Sequence, residues 1–286
     1  MAAPAPLPAA AAGTFRLGDM TVNRMGFGAM RITGQGIWGE PKDVEACKRV
    51  LRRAVELGIN LIDTAASYGP DVSERIIGET LHPYANGLVI ATKGGLTRSG
   101  PGGWHPACSP AQLTKDLEGS LRKLRVERID LYQLHTADPR VPFEDSVGAL
   151  ARLREEGKIR HVGLSNVSVD QLRKARKIVP IVSVQNRYNL ADRHSEDVLT
   201  ECEKESIGFL PWYPLAASEL ASDKGPLAQA AKRHHITPGQ LALAWLLNRS
   251  PVMLPIPGTS SVQHLEENTA AAAVKLSAEE VRELAR

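Results

Sequence analysis

Seven short β-like apolar runs succeed one another in this chain, each closed by a polar residue or one of special shape. Asp63 follows Asn60-Leu61-Ile62, Lys93 lies just beyond Leu88-Val89-Ile90-Ala91, and His135 follows Leu131-Tyr132-Gln133-Leu134. Ser165 and Asn166 close Val162-Gly163-Leu164, and Gln185 closes Ile181-Val182-Ser183-Val184. Trp212 comes shortly after Gly208-Phe209-Leu210, and Gly258 shortly after Leu254-Pro255-Ile256. An eighth run, near Arg24 to Ala29, precedes them all, and helix-like stretches lie between successive runs. Strands alternating with helices make a parallel sheet, and eight such units close it into a barrel, where a doubly wound sheet has fewer. The fold predicted is therefore α/β, a single (β/α)8 TIM barrel over residues 14–286. Its C-terminal strand ends would surround one mouth, so closing residues far apart in sequence would converge there.

Local signals fit the same frame. Phe15 to Val22 reads as a hairpin turning at Gly18-Asp19, placed to plug the barrel floor. Val44, Cys47, Leu51 and Val55 share one face of a helix from Val44 to Leu57, ended by Gly58. Residues 1–13 are almost entirely Ala and Pro and read as a disordered tail, without the basic start and leucine-rich core of a secretion signal. No apolar run approaches the ~18 residues of a membrane span. With 286 residues, 43% of them hydrophobic, the chain can fill the core of one such barrel. A net charge of +3 is too mild to imply a nucleic-acid partner. The clusters Arg122-Lys123-Leu124-Arg125 and Arg173-Lys174-Ala175-Arg176-Lys177 read as solvated helix faces. Three scattered cysteines with no CxxC pair imply free thiols in a reducing compartment. A cytoplasmic monomer with neither membrane nor nucleic-acid partner is expected.

Four side chains stand out at or near the strand ends: Asp63, Tyr68, Lys93 and His135. Singly each has a plain reading: a turn cap, a half-buried packing residue, a rim charge and a satisfied core histidine. Their neighbourhoods point further. The segments Asp63-Thr64-Ala65-Ala66-Ser67-Tyr68-Gly69, Ala91-Thr92-Lys93-Gly94 and Leu131-Tyr132-Gln133-Leu134-His135 resemble motifs of the aldo-keto reductase family. Gly163-Leu164-Ser165-Asn166, Gln185-Asn186 and Ile256-Pro257-Gly258-Thr259 extend the resemblance, in the family's order, over nearly all the chain after the tail. It implies that the four residues are catalytic. Reducing a carbonyl with a nicotinamide needs a hydride for carbon and a proton for oxygen. Tyr68 would be the general acid, although a free phenol, with a pKa of about 10, is a reluctant donor. Lys93 would draw that pKa down and Asp63 would keep Lys93 charged. His135 would donate a hydrogen bond to the substrate carbonyl.

The resemblance also implies a cofactor, NADPH, with NADH left open. Ser165, Asn166 and Gln185 would hold the nicotinamide carboxamide beside Asp63, and Trp212, where most relatives carry tyrosine, would stack on the ring. Gly28, Ala29 and Met30 would flank nicotinamide and pyrophosphate, and Tyr213, Pro214 and Leu215 would begin the loop over the pyrophosphate. Gly258, Thr259 and Ser260 lead to a helix carrying His264, Glu267 and Asn268, where the adenosine end would lie. Free amides and hydroxyls there suit a phosphate, though no Arg or Lys occurs between positions 258 and 268. Loops at Ile32 to Glu40, at Leu96 to Cys108 and after Trp212 would form the walls of the substrate pocket, lined by Arg31, Trp38 and Trp104, the indoles suiting an aromatic ring. The Gly26 to Gly39 stretch resembles the branch of the family that contains pyridoxal reductases, so pyridoxal or another small aromatic aldehyde is the expected substrate.

Two other readings stay open: a cofactor-bound regulatory subunit with little turnover, as the potassium-channel β subunits resemble, and a barrel lyase or isomerase reusing Lys93. Competing motifs fail. Gly26-Phe27-Gly28 lacks the third glycine of a dinucleotide fingerprint, since position 31 is Arg. Gly163 to Val167 lacks the second glycine of a nucleophile elbow, and no tyrosine is followed four residues later by lysine. His234 and His235 are adjacent and point apart on a helix, so no metal site is expected.

Overall fold

A computed structural model describes residues 7–222, 224 and 227–285. The chain opens with an antiparallel hairpin, β1 (Thr14–Leu17) and β2 (Met20–Asn23), and then alternates. β3 (Phe27–Gly28), α1 (Val44–Glu56), β4 (Leu61–Asp63), α2 (Val72–Leu81) and β5 (Val89–Gly94) lead to a second hairpin, β6 (Leu96–Gly100) and β7 (Gly103–Pro106). There follow α3 (Pro110–Leu124), β8 (Ile129–Leu134), α4 (Phe143–Glu155), β9 (Ile159–Ser165), α5 (Val169–Arg176), β10 (Ile181–Gln185), α6 (Glu196–Glu205) and β11 (Gly208–Phe209). Four helices finish the chain: α7 (Ala228–Arg233), α8 (Pro238–Arg249), α9 (Val262–Ala270) and α10 (Ala278–Leu284). The parallel sheet runs β3-β4-β5-β8-β9-β10-β11. Helix starts are set by side-chain caps: Asp43, Ser109, Ser168, Thr237 and Ser261 each accept the N–H three residues on.

Seven strands and one seam close the barrel. Between β11 and β3 runs the segment 252–257, expected as an eighth strand. The Phe209 N–H donates to the Val252 oxygen and the Leu254 N–H to the Phe209 oxygen, both at 2.8 Å. On the other side Gly26 donates to the Pro255 oxygen at 2.9 Å and Gly28 to the Pro257 oxygen at 3.4 Å. Pro255 and Pro257 have no N–H, so the segment only accepts there and makes no regular ladder. The backbones approach so closely that a Cβ on Gly28 would lie 2.5 Å from the Ile256 oxygen, and one on Gly258 2.5 Å from the Gly28 oxygen. Packing alone demands glycine at both.

Inside the barrel, Leu17, Met20 and Val22 of the first hairpin join Leu61, Leu131 and Leu254 in one buried cluster, so the hairpin plugs the floor as expected. Two expectations need correction. Residues 1–13 were to be a disordered tail; positions 1–6 lie outside the described residues, but Pro8–Ala12 form a 3-10 turn with Ala9 and Ala12 buried. The small alanines let the backbone lie against the barrel, where Ala9 donates to the Leu57 oxygen at 3.0 Å and Lys275 donates to the Ala11 oxygen at 3.1 Å. The stretch from Leu96 to Cys108, expected as a pocket-wall loop, holds the β6–β7 hairpin. Its half-exposed residues lack the alternating apolar pattern that announces strands.

Candidate active site

Asp63 ends β4, Lys93 lies in β5, and His135 follows β8, which brings all three to the C-terminal mouth. The loop after β4 is tied to the neighbouring strand, Thr64 donating to the Ala91 oxygen at 2.8 Å and Ala66 to the Lys93 oxygen at 3.1 Å. Gly69, at φ +110°, turns that loop into α2 where a side chain would strike Val72. Tyr68 is thereby hung over the mouth. Asp63, Tyr68, Lys93 and His135 are all at most 8% exposed. Lys93 Nζ donates to Asp63 Oδ2 at 2.7 Å, to the Thr64 oxygen at 2.8 Å and to the Tyr68 hydroxyl at 3.4 Å, which engages all three ammonium protons. The Tyr68 and His135 rings meet edge-on, 5.9 Å between centroids. Asp63 is gripped from its other side: Gln133 and Gln185 donate Nε2 to Oδ1 at 3.0 and 2.8 Å. Gln133 was not foreseen, yet it is a polar residue two positions before His135 in an apolar strand and so shares its face.

Burial governs the protonation states. It pushes the Tyr68 phenol up; Lys93 pulls it back, Asp63 pushes further, and the net direction is upward. The lowering influence expected of Lys93 is present but does not prevail. The phenol is therefore fully protonated at neutral pH, the form a general acid needs. Burial alone would lower Lys93, but Asp63 and then Tyr68 outweigh it and the ammonium persists. Burial, then the Lys93 charge, holds His135 well below the usual histidine value, so its ring is neutral. Ser67 Oγ lies 3.4 Å from His135 Nδ1. With that hydroxyl as donor, the ring proton sits on Nε2, ready for a substrate oxygen.

Beside these groups lies the expected cofactor edge. Asn166, at φ 56°, donates Nδ2 to the His135 oxygen at 3.0 Å and to Ser165 Oγ at 3.1 Å. Its Oδ1 accepts Trp212 Nε1 at 2.9 Å, which fixes the indole. Neither Ser165 nor Asn166 caps a helix; Ser168 does. Arg187, also unforeseen, stacks its guanidinium 5.7 Å from the Trp212 ring and 4.8 Å from the Tyr213 ring, and pairs with Asp192 at 2.7 Å. Pro214 and Leu215 continue the chain from Tyr213 and are half-buried.

Across the mouth, Gly28 and buried Ala29 abut the seam, and Met30 accepts the Thr33 hydroxyl on its carbonyl at 2.9 Å. Thr259 is buried and Ser260 exposed ahead of α9, whose His264 is exposed and Asn268 buried. Glu267 accepts the Thr237 hydroxyl at 2.7 Å. Arg31, expected in the substrate pocket, stands beside Gly258. The 3-10 turn Ala29–Ile32 leaves it exposed on the seam side, its Cγ 3.6 Å from where a Cβ on Gly258 would sit. Trp104 does stand at the pocket, 6.5 Å from both the Tyr68 and the His135 ring, and Trp38 bridges to Gly69. Among the described residues no three His, Cys, Asp or Glu side chains converge to hold a metal, and no helix is long and apolar enough to cross a membrane.

A barrel whose mouth joins a protonated phenol, an ammonium, a carboxylate and a neutral imidazole is of the class that passes a proton between a side chain and a carbonyl oxygen. The chain belongs to the aldo/keto reductase family, whose model matches residues 24–286, and is thus an oxidoreductase. An uncharacterized oxidoreductase of Schizosaccharomyces pombe is 55% identical over 278 residues, 97% of this chain and 90% of that protein. Pyridoxine 4-dehydrogenase of Escherichia coli is 44% identical over 273 residues, 93% of this chain and 95% of that protein. Among solved structures, an aldo-keto reductase from Klebsiella pneumoniae in complex with NADPH matches with a TM-score of 0.81 at 29% identity, over 95% of this chain and 93% of that one.

Proposed function

We propose that this protein reduces an aldehyde or ketone to the alcohol with NADPH, Tyr68 delivering the proton. The observation that carries the proposal is the Tyr68 hydroxyl, buried and protonated, 3.4 Å from an ammonium that is itself held 2.7 Å from Asp63. A dinucleotide suits the remaining residues. Trp212 offers a fixed aromatic face on which a nicotinamide ring can stack. Arg31 supplies, from the opposite side of the seam, the cation missing between positions 258 and 268, which favours a phosphorylated cofactor. When bound, the cofactor supplies the hydride.

The protein's own part is then positional and protic. His135 Nε2 donates to the carbonyl oxygen and aims it, and Tyr68 gives that oxygen its proton as negative charge develops there. Lys93 stabilises the tyrosinate left behind, and Asp63, clasped by Gln133 and Gln185, keeps Lys93 in place. In the reverse direction the tyrosinate takes the alcohol proton. The likeness to pyridoxine 4-dehydrogenase and the paired indoles Trp38 and Trp104 support pyridoxal, or another small aromatic aldehyde, as substrate. Imine chemistry at Lys93 is disfavoured, because its amine is charged and all three protons are engaged.

The test is to mix protein, NADPH and either pyridoxal or 4-nitrobenzaldehyde and follow nicotinamide absorbance. Tyr68→Phe should cut turnover by at least about 100-fold, the range of a lost general acid, while NADPH still quenches tryptophan fluorescence. Binding without turnover in the parent protein would favour the regulatory-subunit reading. Joint loss of binding and turnover in the variant would make Tyr68 structural.

A further inference from the structure

We propose that Arg98 sets the substrate preference of this site, favouring aromatic carbonyl compounds that carry a negative charge; the inference rests on the reductase reading above. Arg98 lies in β6 directly across from Trp104 in β7. Its guanidinium carbon sits 3.5 Å from the Trp104 ring centroid and 5.6 Å from that of Trp38. Nη1 donates to the Ile37 oxygen at 2.8 Å and to the Ser67 oxygen at 3.2 Å. Nη2 donates to the Gly36 and Gly100 oxygens at 3.1 and 3.2 Å, and Nε to the Gly103 oxygen at 3.1 Å. One side chain therefore ties together the loop ahead of α1, the loop that carries Tyr68 and the hairpin that carries Trp104. Trp104 in turn lies 6.5 Å, edge-on, from both Tyr68 and His135. The cation stands immediately behind the indole that walls the reacting groups.

Its charge is not cancelled. Carbonyl oxygens solvate a guanidinium without neutralising it, and an arginine in a protein does not lose its proton. Asp71 and Asp116 line a cavity of about 430 Å³ together with Arg98, Lys115, Arg122 and Lys123. Asp71 pairs with Lys123, and Asp116, which accepts the Gly95 N–H at 2.8 Å and Gln112 Nε2 at 2.6 Å, is offset by the charges of Lys123 and Lys115. Asp63 is matched by Lys93, and Tyr68 and His135 are neutral. Among the described residues Arg98 has no carboxylate partner, and its positive charge stands against two aromatic faces. A carboxylate or phenolate on the substrate ring, roughly 10 Å from Arg98 at an effective dielectric constant near that of a protein surface, gains roughly a fivefold to fifteenfold preference over a neutral ring.

The experiment measures kcat/KM for 4-carboxybenzaldehyde and 4-nitrobenzaldehyde at saturating NADPH in the parent protein, Arg98→Met and Arg98→Lys. In Arg98→Met the charged-to-neutral ratio should fall roughly fivefold to fifteenfold, with the difference in KM rather than kcat, since ground state and transition state are attracted alike. Arg98→Lys keeps the charge but cannot reach three carbonyl walls, so both substrates should slow together while the ratio stays within about twofold of the parent. The parent's own ratio should shrink as sodium chloride rises, a readout that needs no variant. A ratio unchanged in Arg98→Met and insensitive to salt overturns the specificity role and leaves Arg98 a scaffold residue. Failure of the parent to reduce either aldehyde while NADPH still quenches its fluorescence overturns the reductase reading, and this role with it.

Discussion

Replacing Gln133 with leucine tests how the carboxylate at the centre of the site is held. Asp63 Oδ1 receives Gln133 at 3.0 Å and Gln185 at 2.8 Å, and Oδ2 receives Lys93 at 2.7 Å. A hydrogen bond to a charged group contributes about 1.5–3 kcal/mol. Two donors survive in Gln133→Leu, so Asp63 is not orphaned and a loss of about 2 kcal/mol is expected, toward the lower end of that range. Leucine nearly fills the glutamine volume, which keeps any cavity contribution small. For a chain of this size the cost corresponds to a fall of roughly 3–4 °C in Tm. Slack in Asp63 also loosens Lys93 against the Tyr68 hydroxyl, so kcat should drop about tenfold while cofactor affinity changes little. Gln133→Glu is the sharper partner: two facing carboxylates share a proton, which should give reduction a pH dependence near neutrality that the parent lacks. Thermal melts and kcat across pH read both effects. A leucine variant with parental Tm and parental kcat would refute the argument and leave Lys93 and Gln185 to orient Asp63.

Lys123 pairs at 3.0 Å with Glu74, a fully buried carboxylate that also accepts the Thr92 hydroxyl at 2.6 Å. Lys123→Met leaves that charge unmatched and should cost about 3–5 kcal/mol in urea denaturation, most of it recovered by adding Glu74→Gln. His135 is kept neutral by burial, its folded pKa depressed below the usual histidine value, so the unfolded chain binds the extra proton first as pH falls. Stability should therefore decline as pH falls through the unfolded histidine value of about 6.5, a slope that His135→Leu should remove. Because the Tyr68 pKa is raised and that of His135 lowered, carbonyl reduction should be level across neutral pH; a step near pH 6.5 would contradict the neutral imidazole.

Much of this architecture was legible in residue order. The apolar runs ending at Asp63, Lys93, His135 and Gln185 became β4, β5, β8 and β10, because a polar residue that closes a buried parallel strand is hard to place elsewhere. Four of the site's members lie on those ends or on the loop after β4. Other features left no mark. The seam through Pro255 and Pro257 reads as an apolar run, while its irregularity comes from two missing amide protons. Residues 8–12 have the composition of a tail, and only the surface they meet, at Leu57 and Lys275, orders them. Arg98 was invisible for a similar reason: its partners are backbone oxygens as far away as Gly36, Ile37 and Ser67, and backbone has no sequence signature. Gln133 stands in plain view in the sequence, but a single amide within Leu131 to Leu134 looks incidental until its face is shared with His135.

The proline-bearing closure gives this cylinder a preferred place to breathe. Hydrogen bonding there is sparse and one-sided, whereas β8 and β9 are zipped along five residue pairs. The shores of that gap are Gly28 to Met30 and Gly258 to Ser260, the same residues proposed to grasp opposite parts of one dinucleotide. A ligand spanning both shores acts as a rivet, so amide protons of Gly26 and Gly28 should exchange with solvent readily in the empty protein and slowly once the rivet is in place.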